Sequence, residues 1–151
     1  MGQNGYMTFI DFLVRHRRLR LAREVLGLYG VEIPREVMIG KNFRLQHRGL
    51  GTVLHPQTLI GDDVQIYHQV TTGRADAHVP RSQSPMSHIE IGDGAILYAG
   101  AKILGGPGVT RIGSRTIVAA NAVVTRSTGE DEVWAGVPAK RVGGRPGDAE
   151  F

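Results

Sequence analysis

The sequence predicts an all-β solenoid, a parallel β-helix of six-residue repeats, with a short α-helix in front of it. Three observations predict this. Aliphatic residues recur every six positions, at Ile33, Ile39 and Leu45, then Leu54, Ile60 and Ile66. They resume at Ile91, Leu97 and Ile103, and again at Ile112, Val118 and Val124. Four places after an aliphatic residue stands a small or β-branched one: Val37, Thr58, Val64, Val70, Ala95, Ala101, Thr116 or Ala122. The composition agrees, with 21 glycines and only 6% aromatic residues among 151. That is rich in turn formers and lean in the bulk a helical bundle needs.

Physics accounts for the spacing. Three six-residue faces make one triangular coil, and each face contributes one inward side chain. Stacked coils bury those side chains in continuous columns, each coil covering the next. Glycines follow the aliphatic residue where the backbone must turn, as in Ile39-Gly40, Ile60-Gly61, Ile91-Gly92 and Ile112-Gly113. A period of six does not match the 3.6 of an α-helix.

Residues 8–29 break this pattern and read as one helix. Phe9, Phe12, Leu13, Leu19, Ala22, Val25, Leu26 and Leu28 form its apolar stripe, and Gly30 its stop. The chain therefore divides into a helical arm at 1–31, a β-helix at 32–143 and a flexible tail at 144–151. Residues 74–87 (RADAHVPRSQSPMS) have two prolines and no sixfold aliphatic residue, so they form an inserted loop. Gly105-Gly106-Pro107-Gly108 marks a smaller bulge, and Gly136-Val137-Pro138-Ala139 the end of the repeat.

Composition also narrows the function. Without cysteine there are no disulfides, thiolate metal sites or cysteine nucleophile. The net charge of +4 sits mostly in residues 1–30, where five arginines face Asp11 and Glu24 for +3. The basic arm reads as a capping helix. It lacks the interleaved aromatics of single-stranded nucleic-acid binding, so no nucleic-acid partner is expected. No run reaches the roughly 18 apolar residues of a membrane span, and the first residues do not show a basic region followed by an apolar core and a small-residue cleavage site. A cytoplasmic protein without stable membrane insertion is the expectation.

Three segments, LQHRGLGTVLHPQTLIGDDVQIYHQVTTG, IEIGDGAILYAGAKILG and AANAVVTRSTGEDEVWAGVPAKRVG, carry a family resemblance. In order and spacing the stretch from about Glu32 to Val142 resembles the hexapeptide-repeat acyltransferases, within them the serine acetyltransferase group. The resemblance implies a left-handed helix, a homotrimer with active sites between subunits, and acetyl-CoA as co-substrate with no metal. His47 takes the place of the general base and Glu32, one coil earlier, that of its orienting acid. His88 takes the place of the second histidine, at the acceptor site. Gln46, His55, His68 and Arg74 lie around the acceptor, and backbone N–H groups at Thr72-Gly73 are candidates for the oxyanion. Gly73, Ala99 and Ala120 fall where coenzyme A lies, with Arg126, Lys140 and Arg141 as phosphate partners.

The chain also departs from that group. Gln46 stands for an Asp before the first histidine, and Ser87 for an Arg before the second. One extra residue follows His47, and the large helical N-terminal domain is reduced to one helix. These differences make the hydroxyl of a small molecule, a sugar or saccharide precursor first among them, the expected acceptor of O-acetylation. Serine, as in cysteine synthesis, is the alternative. A non-catalytic or metal-binding β-helix, such as a relative of the trimeric carbonic anhydrases, is a third reading. His78 and His88 lack the tight ligand spacing that would favour it.

Overall fold

The computed structural model describes residues 8–147. The N-terminal segment folds as two helices, α1 (Phe9–Arg15) and α2 (Arg20–Leu28), where the sequence predicts one. A capping box opens α1: the Thr8 hydroxyl accepts from the Asp11 N–H, and the Asp11 carboxylate accepts from the Thr8 N–H. The chain breaks after α1 because Arg17 turns inward. Its guanidinium donates to the carbonyls of Val14 (2.9 Å) and Val37 (2.6 Å), tying the break to the first coil. The break shifts the buried stripe to Ile10, Leu13, Val14, Ala22 and Leu26, leaving Phe9, Phe12, Leu19 and Leu28 exposed. Gly30 ends α2 at φ 69°, with the N–H groups of Gly30 and Val31 closing onto Gly27 and Leu26.

The rest is β-structure. In chain order the strands are β1 (Met38–Ile39), β2 (Arg44–Leu45), β3 (Thr58–Ile60), β4 (Gln65–Ile66), β5 (Thr71–Arg74), β6 (Met86–Ile91) and β7 (Ile96–Leu97). There follow β8 (Lys102–Gly105), β9 (Gly108–Ile112), β10 (Ile117–Val118), β11 (Val123–Val124), β12 (Glu132–Gly136) and β13 (Ala139–Gly144). They form three sheets, ordered β1-β3-β6-β9, β2-β4-β7-β10-β12-β13 and β5-β8-β11. Every pairing is parallel except that of β12 with β13. From β3 to β11 the chain visits the three sheets in rotation, so a strand's neighbour is the strand one circuit later.

The registers put the sixfold aliphatic residues into columns. Ile39, Ile60, Ile91 and Ile112 align in the first sheet. Leu45, Ile66, Leu97, Val118 and Trp134 align in the second. Thr72, Ile103 and Val124 align in the third, extended by bridges that set Leu54 and then Ile33 alongside. All are buried except Ile39, which is half-buried. The residues four places on, from Val37 to Ala122, are buried as well. Thr72 occupies a column position the aliphatic pattern misses. Its hydroxyl shares a 2.8 Å hydrogen bond with that of Thr58 and accepts from the His55 N–H.

The interruptions fall between strands. The inserted loop is shorter than predicted, because Arg74 ends β5 and β6 begins at Met86, whose side chain is buried against Gly105. The C-terminal hairpin β12–β13 closes the second sheet. Strand β13 runs through Gly144, and Arg145 donates to the carbonyls of Gly94 (2.9 Å) and Arg115 (3.0 Å), so the chain stays anchored past the predicted tail boundary. Of that tail, residues 148–151 lie outside the described residues, as do residues 1–7 of the arm. No helix among the described residues is long and apolar enough to cross a membrane.

The columns make single truncations costly. Leu97, fully buried between Ile66 and Val118, should destabilise the protein by about 2–5 kcal/mol when changed to alanine. Urea denaturation followed by circular dichroism measures this.

Candidate functional site

His47 lies in the corner that joins the second sheet to the third. Nine positions separate Leu45 from Leu54 there, against the usual six. The extra residues are taken up by a tight turn at Gln46–Gly49 in which His47 (φ 52°) and Arg48 (φ 60°) both adopt left-handed backbone. Left-handed backbone recurs at Asn42, Asp63, Gln69, Arg115, Asn121 and Asp131, so it belongs to the turns of the coil in general; two such residues in succession are peculiar to this corner. Gly49 and Gly51, also at positive φ, complete the turn.

The coil register gives this corner a second property. Leu45 pairs with Ile66, Leu97 and Val118 in successive coils. Two residues beyond each stand His47, His68, Ala99 and Ala120, so four candidate residues share one column along the corner. The His47 and His68 rings meet edge to face, 5.2 Å between centroids. Tyr67 lies 5.7 Å from His47 and 4.9 Å from Tyr98. The Nδ1 of His68 is buried without a hydrogen-bond partner. Beside it, Gln46 Nε2 donates to Gln65 Oε1 at 3.0 Å.

Glu32 borders the same corner but does not stack on His47. It is bridged to Val53, 21 residues on, and its N–H donates to the Thr52 carbonyl at 2.9 Å. One circuit carries residue 32 to 53 and residue 47 to 68, so the expected superposition of acid and histidine does not occur. No hydrogen bond joins the Glu32 carboxylate to His47. The Thr72 N–H is also committed, to the Val53 carbonyl at 3.0 Å, which removes it as an oxyanion donor.

The other candidates lie elsewhere. His88 is on β6 of the first sheet, its Nε2 2.7 Å from Glu90 Oε1 and its Nδ1 2.9 Å from Ser87 Oγ. Sequence reasoning missed Glu90, although the period of two on a strand sets residues 88 and 90 on one face. His55 lies beside the inserted loop, and Gln57 N–H donates to its Nδ1 at 3.1 Å. Arg74 is turned into that loop, donating to the Val79 carbonyl (2.9 Å) and facing Asp76 at 3.6 Å. Among the described residues no group of three or more His, Cys, Asp or Glu is placed to hold a metal ion.

Along the later coils, the Ala99 and Ala120 amide N–H groups make no hydrogen bond among the described residues. A side chain added at Gly73 would meet only open space, so a ligand can approach the backbone there. At the end of the column, Arg126 lies over the Trp134 ring at 5.4 Å. Arg141 is 3.1 Å from Glu132, whose carboxyl is held below the usual range by the Trp134 indole N–H, the Gly129 N–H and Arg141. Lys140 is exposed on β13.

The chain is similar to serine acetyltransferases. It is 33% identical to serine acetyltransferase 4 of Arabidopsis thaliana over 148 residues, covering 92% of this chain and 39% of that one. It is 34% identical to the serine acetyltransferase of Staphylococcus epidermidis over 130 residues, covering 83% of this chain and 57% of that one. The crystal structure of a Brucella abortus serine acetyltransferase in complex with coenzyme A superposes with a TM-score of 0.71 at 26% identity, covering 91% of this chain and 53% of that one. No family model matches the chain. It spans about half the length of the curated relatives it matches. The expectation of a sugar acceptor is overturned, since these relatives act in serine acetylation. Gln46 and Ser87 were too few to outweigh similarity along nine-tenths of the chain.

His55 gives this region a pH dependence. Partial burial, then the nearby charges of Arg81 and Arg74, hold its affinity for protons below the ordinary value. The unfolded chain therefore takes up a proton that the folded one refuses. That contribution to stability is complete above about pH 6.5 and is lost as the pH falls toward the depressed value. Thermal melts should show a midpoint that drops on acidification through this range, and drops less in His55→Gln.

Proposed function

Taking the chain as a serine acetyltransferase-like protein, we propose that it transfers an acetyl group from acetyl-CoA to the hydroxyl of serine on a left-handed parallel β-helix. The observation that carries this is the single column of His47, His68, Ala99 and Ala120. It sets a base at one end of a corner and unbonded amides at the other.

His47 removes the hydroxyl proton as the serine oxygen attacks the thioester carbonyl. The C–O bond forms, the C–S bond breaks, and the proton passes through the imidazole to the departing thiolate. Such general-base assistance is worth about a hundred- to ten-thousandfold. Tyr67 and His68 hold the ring in place, and Glu32, bridged to Val53, has no part in orienting it. The free N–H groups of Ala99 and Ala120 take the amide carbonyls of the pantetheine arm, with Gly73 leaving room for it. Arg126, Lys140 and Arg141 neutralise its phosphates.

A homotrimer with sites between subunits completes the reading. His47 is exposed at a corner and His88 half-buried on the first sheet, and in this reading the interface brings His47 of one copy toward His88 of its neighbour. Gln46 and His68 line the acceptor side at the His47 corner, and His55, beside the inserted loop, reaches it only from the far side of the coil. Arg74 joins them only if its contacts to Val79 and Asp76 open.

Incubation with acetyl-CoA and serine, followed by mass spectrometry, should yield O-acetylserine and free coenzyme A. His47→Ala should lower kcat by about a hundredfold or more while calorimetry shows coenzyme A binding intact. Unchanged turnover in that variant, or no product from serine in the native chain, would count against the assignment.

A further inference from the structure

The outer face of the first sheet carries a hydrogen-bonded chain of four side chains, of which the reading above uses only His88. Arg111 Nε on β9 is 2.5 Å from Glu90 Oε2, and Glu90 Oε1 is 2.7 Å from His88 Nε2. His88 Nδ1 is in turn 2.9 Å from Ser87 Oγ. Adjacent strand residues ordinarily point to opposite faces. Here the pairing register shifts between Met86 and His88, and this bulge allows Ser87 and His88 to meet.

The direction of the chain is fixed from one end. Arginine can only donate and an ionised carboxylate can only accept. Arg111 first, and His88 second, hold the Glu90 carboxyl below the usual range, so it is ionised. Glu90 therefore requires a proton on His88 Nε2, and in the singly protonated ring this leaves Nδ1 as a lone pair. The Ser87 hydroxyl donates its proton to that lone pair. What Ser87 offers outward is then oxygen lone pairs alone. Across the sheet, Leu59 of β3 pairs with Glu90, with Gln57 just before that strand, and β9 sets Val109 and Arg111 beside His88 and Glu90. Asp93 and Glu130 are the other charged groups in the neighbouring groove.

We infer that Ser87 is an acceptor-only contact for the ammonium group of an amino-acid substrate, and that Glu90 is the positioning residue that sets its polarity through His88. This rests on the reading of His88 as part of the acceptor site. It replaces a cation that would seek the substrate's carboxylate by a hydroxyl that seeks its amine. Ser87 is exposed, and His88 and Glu90 are partly so, leaving the outer end open to a ligand.

Two measurements test it separately. Histidine-selective 15N NMR of the full chain, at a pH where the rings are neutral, reads the tautomer without any turnover. His88 should carry its proton on Nε2, and Glu90→Ala should shift it toward a mixture. If that variant does not fold, Glu90→Gln keeps the volume and removes the charge that fixes the direction. A native His88 protonated on Nδ1, or a ratio unmoved by either substitution, overturns the chain. The second measurement compares serine with 3-hydroxypropionate, which lacks the amine. Ser87→Ala should reduce the native preference for serine about tenfold, as expected for a lost hydrogen bond to a charged group, with Ser87→Thr restoring it. An unchanged preference overturns the amine contact. Absence of acetyl transfer to serine in the native chain would defeat the proposed function and the amine contact with it, while the tautomer result would still decide the hydrogen-bonded chain.

Discussion

The register between successive coils is the constraint on which the rest of this structure depends. A two-residue strand such as β2, β4 or β7 has no stability of its own, and its one inward side chain cannot be buried within its own coil. Burial comes from the coils on either side. Ile66, for example, is covered by Leu45 and Leu97 only because β2, β4 and β7 pair at one height. A slip of one residue would turn every inward side chain of a coil to the outside. The parallel hydrogen bonds and the apolar columns therefore specify the same register twice.

Because the columns fix the strands, length variation is confined to the corners between them. The spacing is nine residues from Leu45 to Leu54, nineteen from Thr72 to Ile91 and nine from Ile103 to Ile112, yet the column positions on both sides stay aligned. The corner containing His47 uses this freedom to hold two non-glycine residues in left-handed backbone. The same register that buries the columns then carries His68, Ala99 and Ala120 into line with it. The two ends of the stack are closed differently. Helices α1 and α2 cover the first coil, while the antiparallel β12–β13 hairpin and Trp134 finish the last. Both leave less open strand edge to recruit another chain.

The columns were legible in the sequence because burial in a solenoid depends on position modulo six, and nearly every such position holds an aliphatic residue. Thr72 was not legible, since a threonine in the core needs partners, and these come from Thr58 and His55 in the previous coil. The break between α1 and α2 depends on Arg17 reaching the Val37 carbonyl, a contact that helical periodicity does not encode. Glu32 stands 15 residues before His47, short of the full circuit that joins Glu32 to Val53 and Leu45 to Ile66. His47 was found through its motif, whereas its column with Ala99 and Ala120 needed the register.

Ser87 illustrates why a substitution at a functional position is hard to read alone. As a single letter in place of arginine it looked like the loss of a serine-binding group, and it weighed toward a different acceptor. Its chemistry is set by Glu90, three residues on, and by Arg111, a whole coil later. A hydroxyl on an isolated strand can donate or accept. The same hydroxyl at the end of a chain anchored by a guanidinium has its own proton committed inward, and only its lone pairs remain. The residue that decides what Ser87 can bind is therefore one that touches no substrate, and it is brought there by the coil register that also builds the core.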